Sequence, residues 1–146
     1  MRVNNHVINL GIVFESDIQS GGAFQQSLST IELISKLPKN HVNINLYRTF
    51  KTIPHNSELN NFKSKYISLN LVQKTLIFLR NNIKNLRILN LIKKIKKYNS
   101  FEKHLINDKI DIVYFLDPSP LAINLENLNY IITVWDLCHK EDLEFP

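Results

Sequence analysis

Short apolar runs alternate with stretches of helical spacing along this chain, and that alternation constrains the fold more than any other feature. The runs are "VINLGIVF" at 7–14, "VNINLYRTF" from Val42, "KYISLN" from Lys65, "DIVYFL" at 111–116 and "YIITVW" at 130–135. Each is short, rich in β-branched or aromatic residues, and bounded by polar positions, as strands are. Between the first two, Phe24, Leu28, Ile31, Leu33, Ile34 and Leu37 recur at three- and four-residue steps. That spacing predicts an amphipathic helix from Gly22 to about Leu37, stopped by Pro38 and Asn40. Residues 71–98 hold no Gly or Pro and read as one long helix, or as two broken near Asn81 and Asn82. "SFEKHLINDK" reads as a short helix with Ser100 as its N-cap. Residues 15–21 read as loop, and 54–62 as loop or a short helix. Strands that alternate with helices make a parallel sheet covered on both faces. The expected fold is therefore α/β, an open, mostly parallel, Rossmann-like sheet with helices on both faces, in a single domain over 1–146.

In such a sheet ligands gather at the carboxyl ends of the strands. Three segments fall there: "ESDIQSGG", "DPSP" and "DLCHKED". They are far apart in sequence and are expected along one rim. The first contains two of the three glycines in the chain, Gly21 and Gly22, between a strand and a helix. Glycines at a helix N-terminus let the backbone approach an anion, and the helix dipole favours phosphate or carboxylate. They equally serve a tight turn, and both readings stand. The spacing matches neither G-x-G-x-x-G nor G-x-x-x-x-G-K-[ST], so an ordinary dinucleotide or nucleoside-triphosphate site is not expected. In the last segment Asp136 and His139, three residues apart, suit a base with its orienting partner, or a pair that binds a sugar hydroxyl. Read alone they also suit a helix cap and a surface histidine, with Trp135 in the core.

Composition narrows the partners. At 44% hydrophobic residues the chain can bury a real core, and the single cysteine, Cys138, rules out an internal disulfide and fits a reducing compartment. The start of the chain has no signal-peptide pattern, and no run of about 18 apolar residues spans a membrane. A cytoplasmic location is expected, peripheral at the inner face of a membrane if the basic helix touches lipid. The net charge of +5 comes mostly from lysine. It reflects either a compositional bias toward Lys, Asn and Ile or an anionic partner. "KNLRILNLIKKIKKY", residues 84–98, sets Arg87, Asn90, Lys94 and Lys97 against Ile88, Leu91, Ile92 and Ile95 on a helix. Such a helix either presses on anionic lipid or lies as a solvated outer layer of the domain. Nucleic acid is not expected, because the aromatics are not interleaved with the basic residues. The histidines and the cysteine show no metal-ligand spacing and there is no Asp-x-Asp, so no metal is expected.

Taken together, "SGGAFQQSL" after the first strand and "ITVWDLCHKEDLEFP" at the end resemble the N-terminal half of a retaining glycosyltransferase of family 4, with the two-domain GT-B architecture. The resemblance runs in order and spacing through most of the chain, and its specific motifs occupy about thirty residues. It implies transfer of a sugar from a nucleotide-sugar co-substrate to a saccharide or lipid-linked acceptor, in surface polysaccharide or lipopolysaccharide assembly. The Gly21–Gly22 turn would face the donor diphosphate, Asp136 and His139 would sit at the cleft rim as catalytic candidates, and Trp135 and Ser119 would be acceptor-side candidates. Many relatives carry His where this chain has Trp135, and the role of that His does not transfer to His139. The nucleotide sugar is held mostly by a C-terminal domain with a Glu-rich motif that has no counterpart here. The expectation is an incomplete acceptor-side domain, without turnover on its own. Readings of a different class are a non-catalytic α/β binding module and a membrane-surface adaptor.

Overall fold

The computed structural model describes residues 7–15, 21–51, 64–69, 74–75, 77–78 and 100–134. In chain order these form β1 (Ile8–Phe14), α1 (Gly22–Ser35), β2 (Val42–Arg48), β3 (Ser64–Tyr66), α2 (Ser100–Asn107), β4 (Ile112–Phe115), a short 3-10 turn (Ala122–Asn124) and β5 (Asn129–Ile132). The strands make one five-stranded sheet in the order β3-β2-β1-β4-β5. Every pairing is parallel. The fold is thus the expected α/β, Rossmann-like one.

The order follows from the connections. From β1 the chain winds outward through β2 and β3, then returns to lay β4 and β5 on the other side of β1. The direction of winding reverses between β1 and β4, and that junction is the topological switch point of an open α/β sheet.

Side-chain alternation along β1 divides the core in two. Ile12 and Phe14 face one side, where Phe24, Leu28 and Ile31 of α1 pack with Leu46 and Leu116. Phe14 lies between the rings of Phe24 and Phe50, at centroid distances of 5.6 and 5.4 Å. Val13 faces the other side, where Phe101 and Leu105 of α2 pack with Val113, Phe115, Ile110 and Tyr47. Gly11 shares this second face. A Cβ at Gly11 would stand 3.0 Å from Ile110 Cγ2 and 3.3 Å from Tyr47 Cε2, so close packing requires glycine here. The helices therefore cover both faces, as a parallel sheet requires.

The element ends differ slightly from the expected ones. α1 stops at Ser35, two residues before Leu37, and its last turn tightens: the Lys36 and Leu37 amides donate to the Leu33 and Ile34 carbonyls at 3.2 and 2.9 Å. β3 spans Ser64–Tyr66, shorter than "KYISLN", because it pairs only with the end of β2. Ser100 is the first residue of α2. Residues 74–75 and 77–78 are helical, as the 71–98 pattern predicts. The basic stripe at 84–98 and the segment at 54–62 lie outside the described residues. Among the described residues, no helix is long and apolar enough to cross a membrane.

Candidate functional site at the switch point

The register of β1 with β4 builds the site. Val13 pairs with Phe115. Two residues on, where the ladder has ended, Glu15 leaves β1 opposite Asp117 leaving β4. Glu15 lines a cavity with Leu69, Ile77 and Leu121, which belong to or pack on the α2-side core, so it lies on that face of the sheet. Glu15 caps that core at the carboxyl edge.

Burial among these groups has an electrostatic cost. Desolvation raises the Glu15 pKa above its ordinary 4.5, and the nearby Asp117 carboxylate raises it further. A hydrogen bond from the Ser119 hydroxyl opposes both effects by stabilising the charged form. Ser119 is 4% exposed, and its placement is fixed by its own turn. The Leu121 amide donates to Ser119 Oγ at 3.0 Å, and the Ala122 amide donates to the Ser119 carbonyl at 3.2 Å. With the hydroxyl oxygen accepting from Leu121, its single proton is left to donate to Glu15. The pair is a buried acid and a pre-set donor, an arrangement common at functional sites.

A cavity of about 240 Å³ opens beside Glu15. Leu69, Ile77, Pro120 and Leu121 form apolar wall, and Lys74 and Phe78 stand on the helical segment above it. Lys74 and Phe78 are four residues apart, so on a helix they share one face. The arrangement combines a carboxylate, a serine hydroxyl, an ammonium and an aromatic ring at the end of a parallel sheet. It can hold a hydroxyl, accept a proton, and shelter an apolar face.

The Gly21–Gly22 turn reaches the same carboxyl edge, because α1 begins where the β1 connection ends. It does so from the opposite face of the sheet, over the α1-side core. The two glycines are not equivalent. Gly21 has φ +57° and ψ −116°, a conformation that side-chain-bearing residues rarely adopt. Its carbonyl opens the helix by accepting from the Gln25 amide at 3.2 Å. Gly22 needs no such conformation, and a Cβ added there would meet nothing within 4 Å. Among the described residues, the helix start has no N-cap side-chain bond and no acidic group in its first turn.

Of the residues expected at the rim, Ser119 is joined to Glu15. Gly21 and Gly22 lie at the same edge on the other face. Trp135, Asp136 and His139 lie outside the described residues. Glu15 was legible only as part of a loop segment. Counting the β1 parity one residue past Phe14, in the order Gly11, Val13, Glu15, is the signal that finds it. Among the described residues, no three His, Cys, Asp or Glu side chains converge as a metal would need. No family model, curated protein or solved structure matches this chain.

Proposed function

We propose that the chain is the acceptor-side domain of a retaining glycosyltransferase that uses a nucleotide-sugar donor. The observation that carries this reading is the meeting of two kinds of site at one carboxyl edge. One is an anion-favouring helix start at Gly21–Gly22 without a side-chain cap. The other is a hydroxyl-holding carboxylate, Glu15, set by Ser119 at the switch point. A sugar transferase needs both: cationic or dipolar groups for a leaving diphosphate, and a polar anchor for the attacking hydroxyl. The resemblance of "SGGAFQQSL" and "ITVWDLCHKEDLEFP" to family 4 transferases supports the same assignment. In this reading Asp136 and His139 belong to the cleft rim and Trp135 to the acceptor side. The donor arrives as a co-substrate, without a metal, and the acceptor is a glycan or a lipid-linked saccharide.

Gly22 gives the cleanest test. The space around it accepts a methyl group, so Gly22→Ala leaves the fold intact. A diphosphate lying on the helix start would meet that methyl. Calorimetric titration with nucleoside diphosphates and nucleotide sugars is expected to show binding to the wild-type protein. The Gly22→Ala variant is expected to bind about tenfold or more weakly, with an unchanged melting curve. Nucleotide sugars that bind neither this chain nor the chain extended by whatever lies downstream would sink the transferase reading in favour of a non-catalytic module.

A further inference from the structure

The cavity at Glu15 is small and mostly apolar, with Glu15 and Lys74 as charged groups in its lining. At about 240 Å³ it lies below the roughly 300–1,000 Å³ of sites for drug-sized ligands. It admits one ring-sized group and not a chain of them. Its lining carries the Glu15 carboxylate, with Asp117 close enough to raise the Glu15 pKa. A phosphate or carboxylate ligand would be repelled there. A purely apolar ligand would desolvate the half-buried Glu15 carboxyl further without offering it a donor. The walls point to a third class. Phe78 is apolar yet 65% exposed at the mouth, and Leu69, Ile77 and Leu121 continue the apolar lining. Lys74 adds a donor to the lining. A neutral pyranose matches this pattern: hydroxyls along its edge donate to a carboxylate and accept from an ammonium, while its C–H face lies on an aromatic ring.

Resting on the transferase reading, we infer that this cavity is the subsite for the single terminal monosaccharide of the acceptor. That sugar is a neutral hexose unit, held by its hydroxyls on Glu15 and Lys74 and by its C–H face on Phe78. Glu15 acts here as a binding and specificity group. It tells neutral sugars from acidic ones before any chemistry begins.

Saturation-transfer NMR and titration of the purified chain with methyl hexosides test this, with a methyl uronoside and a hexose phosphate as charged controls. Neutral hexosides are expected to bind, and the charged sugars to bind at least about tenfold more weakly. Glu15→Gln is expected to lose about tenfold or more in hexoside affinity and to narrow the gap between neutral and acidic sugars. Phe78→Ala, at a position 65% exposed, is expected to lose affinity without changing that gap, its fold checked by an unchanged circular-dichroism spectrum. Hexosides that do not bind, or that bind equally well to Glu15→Gln and Phe78→Ala, overturn the subsite. So does a preference for the acidic sugars. Titrating a nucleoside diphosphate into the same samples separates the two levels. A diphosphate that binds while hexosides ignore Glu15 removes the subsite and leaves the transferase reading. Hexosides that bind through Glu15 while no diphosphate or nucleotide sugar binds, even to the chain extended by whatever lies downstream, remove the transferase reading and leave a saccharide pocket.

Discussion

A glutamate at the end of a buried strand is held charged only against desolvation, and at Glu15 the neighbouring Asp117 adds to that cost while Ser119 relieves part of it. Removing the charge therefore has two opposite consequences. Glu15→Gln is expected to raise the melting temperature at neutral pH while it weakens hexoside binding, the usual opposition of stability and use at a functional site. Hexoside affinity should be flat at high pH and fall as pH drops through a midpoint above 4.5, the ordinary glutamate value. The charged group that bears on this titration is Asp117 beside Glu15; Lys74 also lines the cavity. Gly11 has a purely steric role. Gly11→Val drives branched carbons into Ile110 and Tyr47 and is expected to cost about 2–3 kcal/mol in chemical denaturation, as overpacking of a tight core does. Neither role was readable from residue type. Glu15 sits in a polar segment that looks like any loop, and Gly11 sits mid-strand, where sequence alone shows nothing of the facing side chains.

At the scale of elements, α2 shows how one side chain positions a loop. Glu102 is in the first turn of α2 and 4% exposed. Its Oε1 accepts from the Glu126, Asn127 and Leu128 amides at 2.8, 2.6 and 3.2 Å. The segment that leads into β5 is thereby tied to the helix on which it lies. Glu102→Ala would leave those amides without an acceptor and is expected to destabilise the protein by about 3 kcal/mol. Amide exchange at 126–128 should speed up more than exchange in β1. The sequence pointed elsewhere: Ser100 and the residues after it look like a near miss of a capping box, with Lys103 where the Glu would be. Glu102 stands one position early, and its carboxylate serves a loop more than twenty residues away. By contrast β1, β2, β4 and α1 were legible to within about two residues, because burial on a parallel sheet and on an amphipathic helix leaves periodic apolar patterns, while β5 ends at Ile132, three residues before the expected Trp135. β3 was the least legible strand, since its length is set by where β2 ends and not by its own composition.

For the whole molecule, acid response is set by carboxylates that pull in opposite directions. Asp108 accepts from Tyr47 Oη at 2.7 Å and from Lys65 Nζ at 2.8 Å. The Lys65 hydrogen bond above all, and then that of Tyr47, hold its pKa below the usual 3.8. The same contact and the burial of the ring push the Tyr47 phenol far above its ordinary range. A carboxylate with a depressed folded pKa contributes stability above its unfolded pKa and loses it as pH falls through the folded one. Glu15, with a raised pKa, does the reverse: it costs stability above its folded pKa and returns it as pH falls toward 4.5. The Glu15 contribution is therefore expected to raise stability on mild acidification, and the Asp108 contribution to be lost as pH falls below 3.8. In thermal melts across pH, Glu15→Gln should flatten the first limb and Asp108→Asn the second. The two cores, one on each face of the sheet, were foreseen only as covered faces. Which residues cap which core depends on strand parity at the edge, and that is settled by register.

β1 is paired on both sides and contributes to both cores, so it opens to solvent only when the rest of the sheet comes apart. The backbone amides of Ile12 to Phe14 should be the slowest to exchange in the molecule. Glu15 is the next residue along, anchored to the segment that breathes least. β3 and β5, at the two ends of the strand order, can fray without moving it. The carboxylate would then keep its position through every partial opening short of global unfolding, and a ligand that leaves the pocket would find the same anchor in place when it returns.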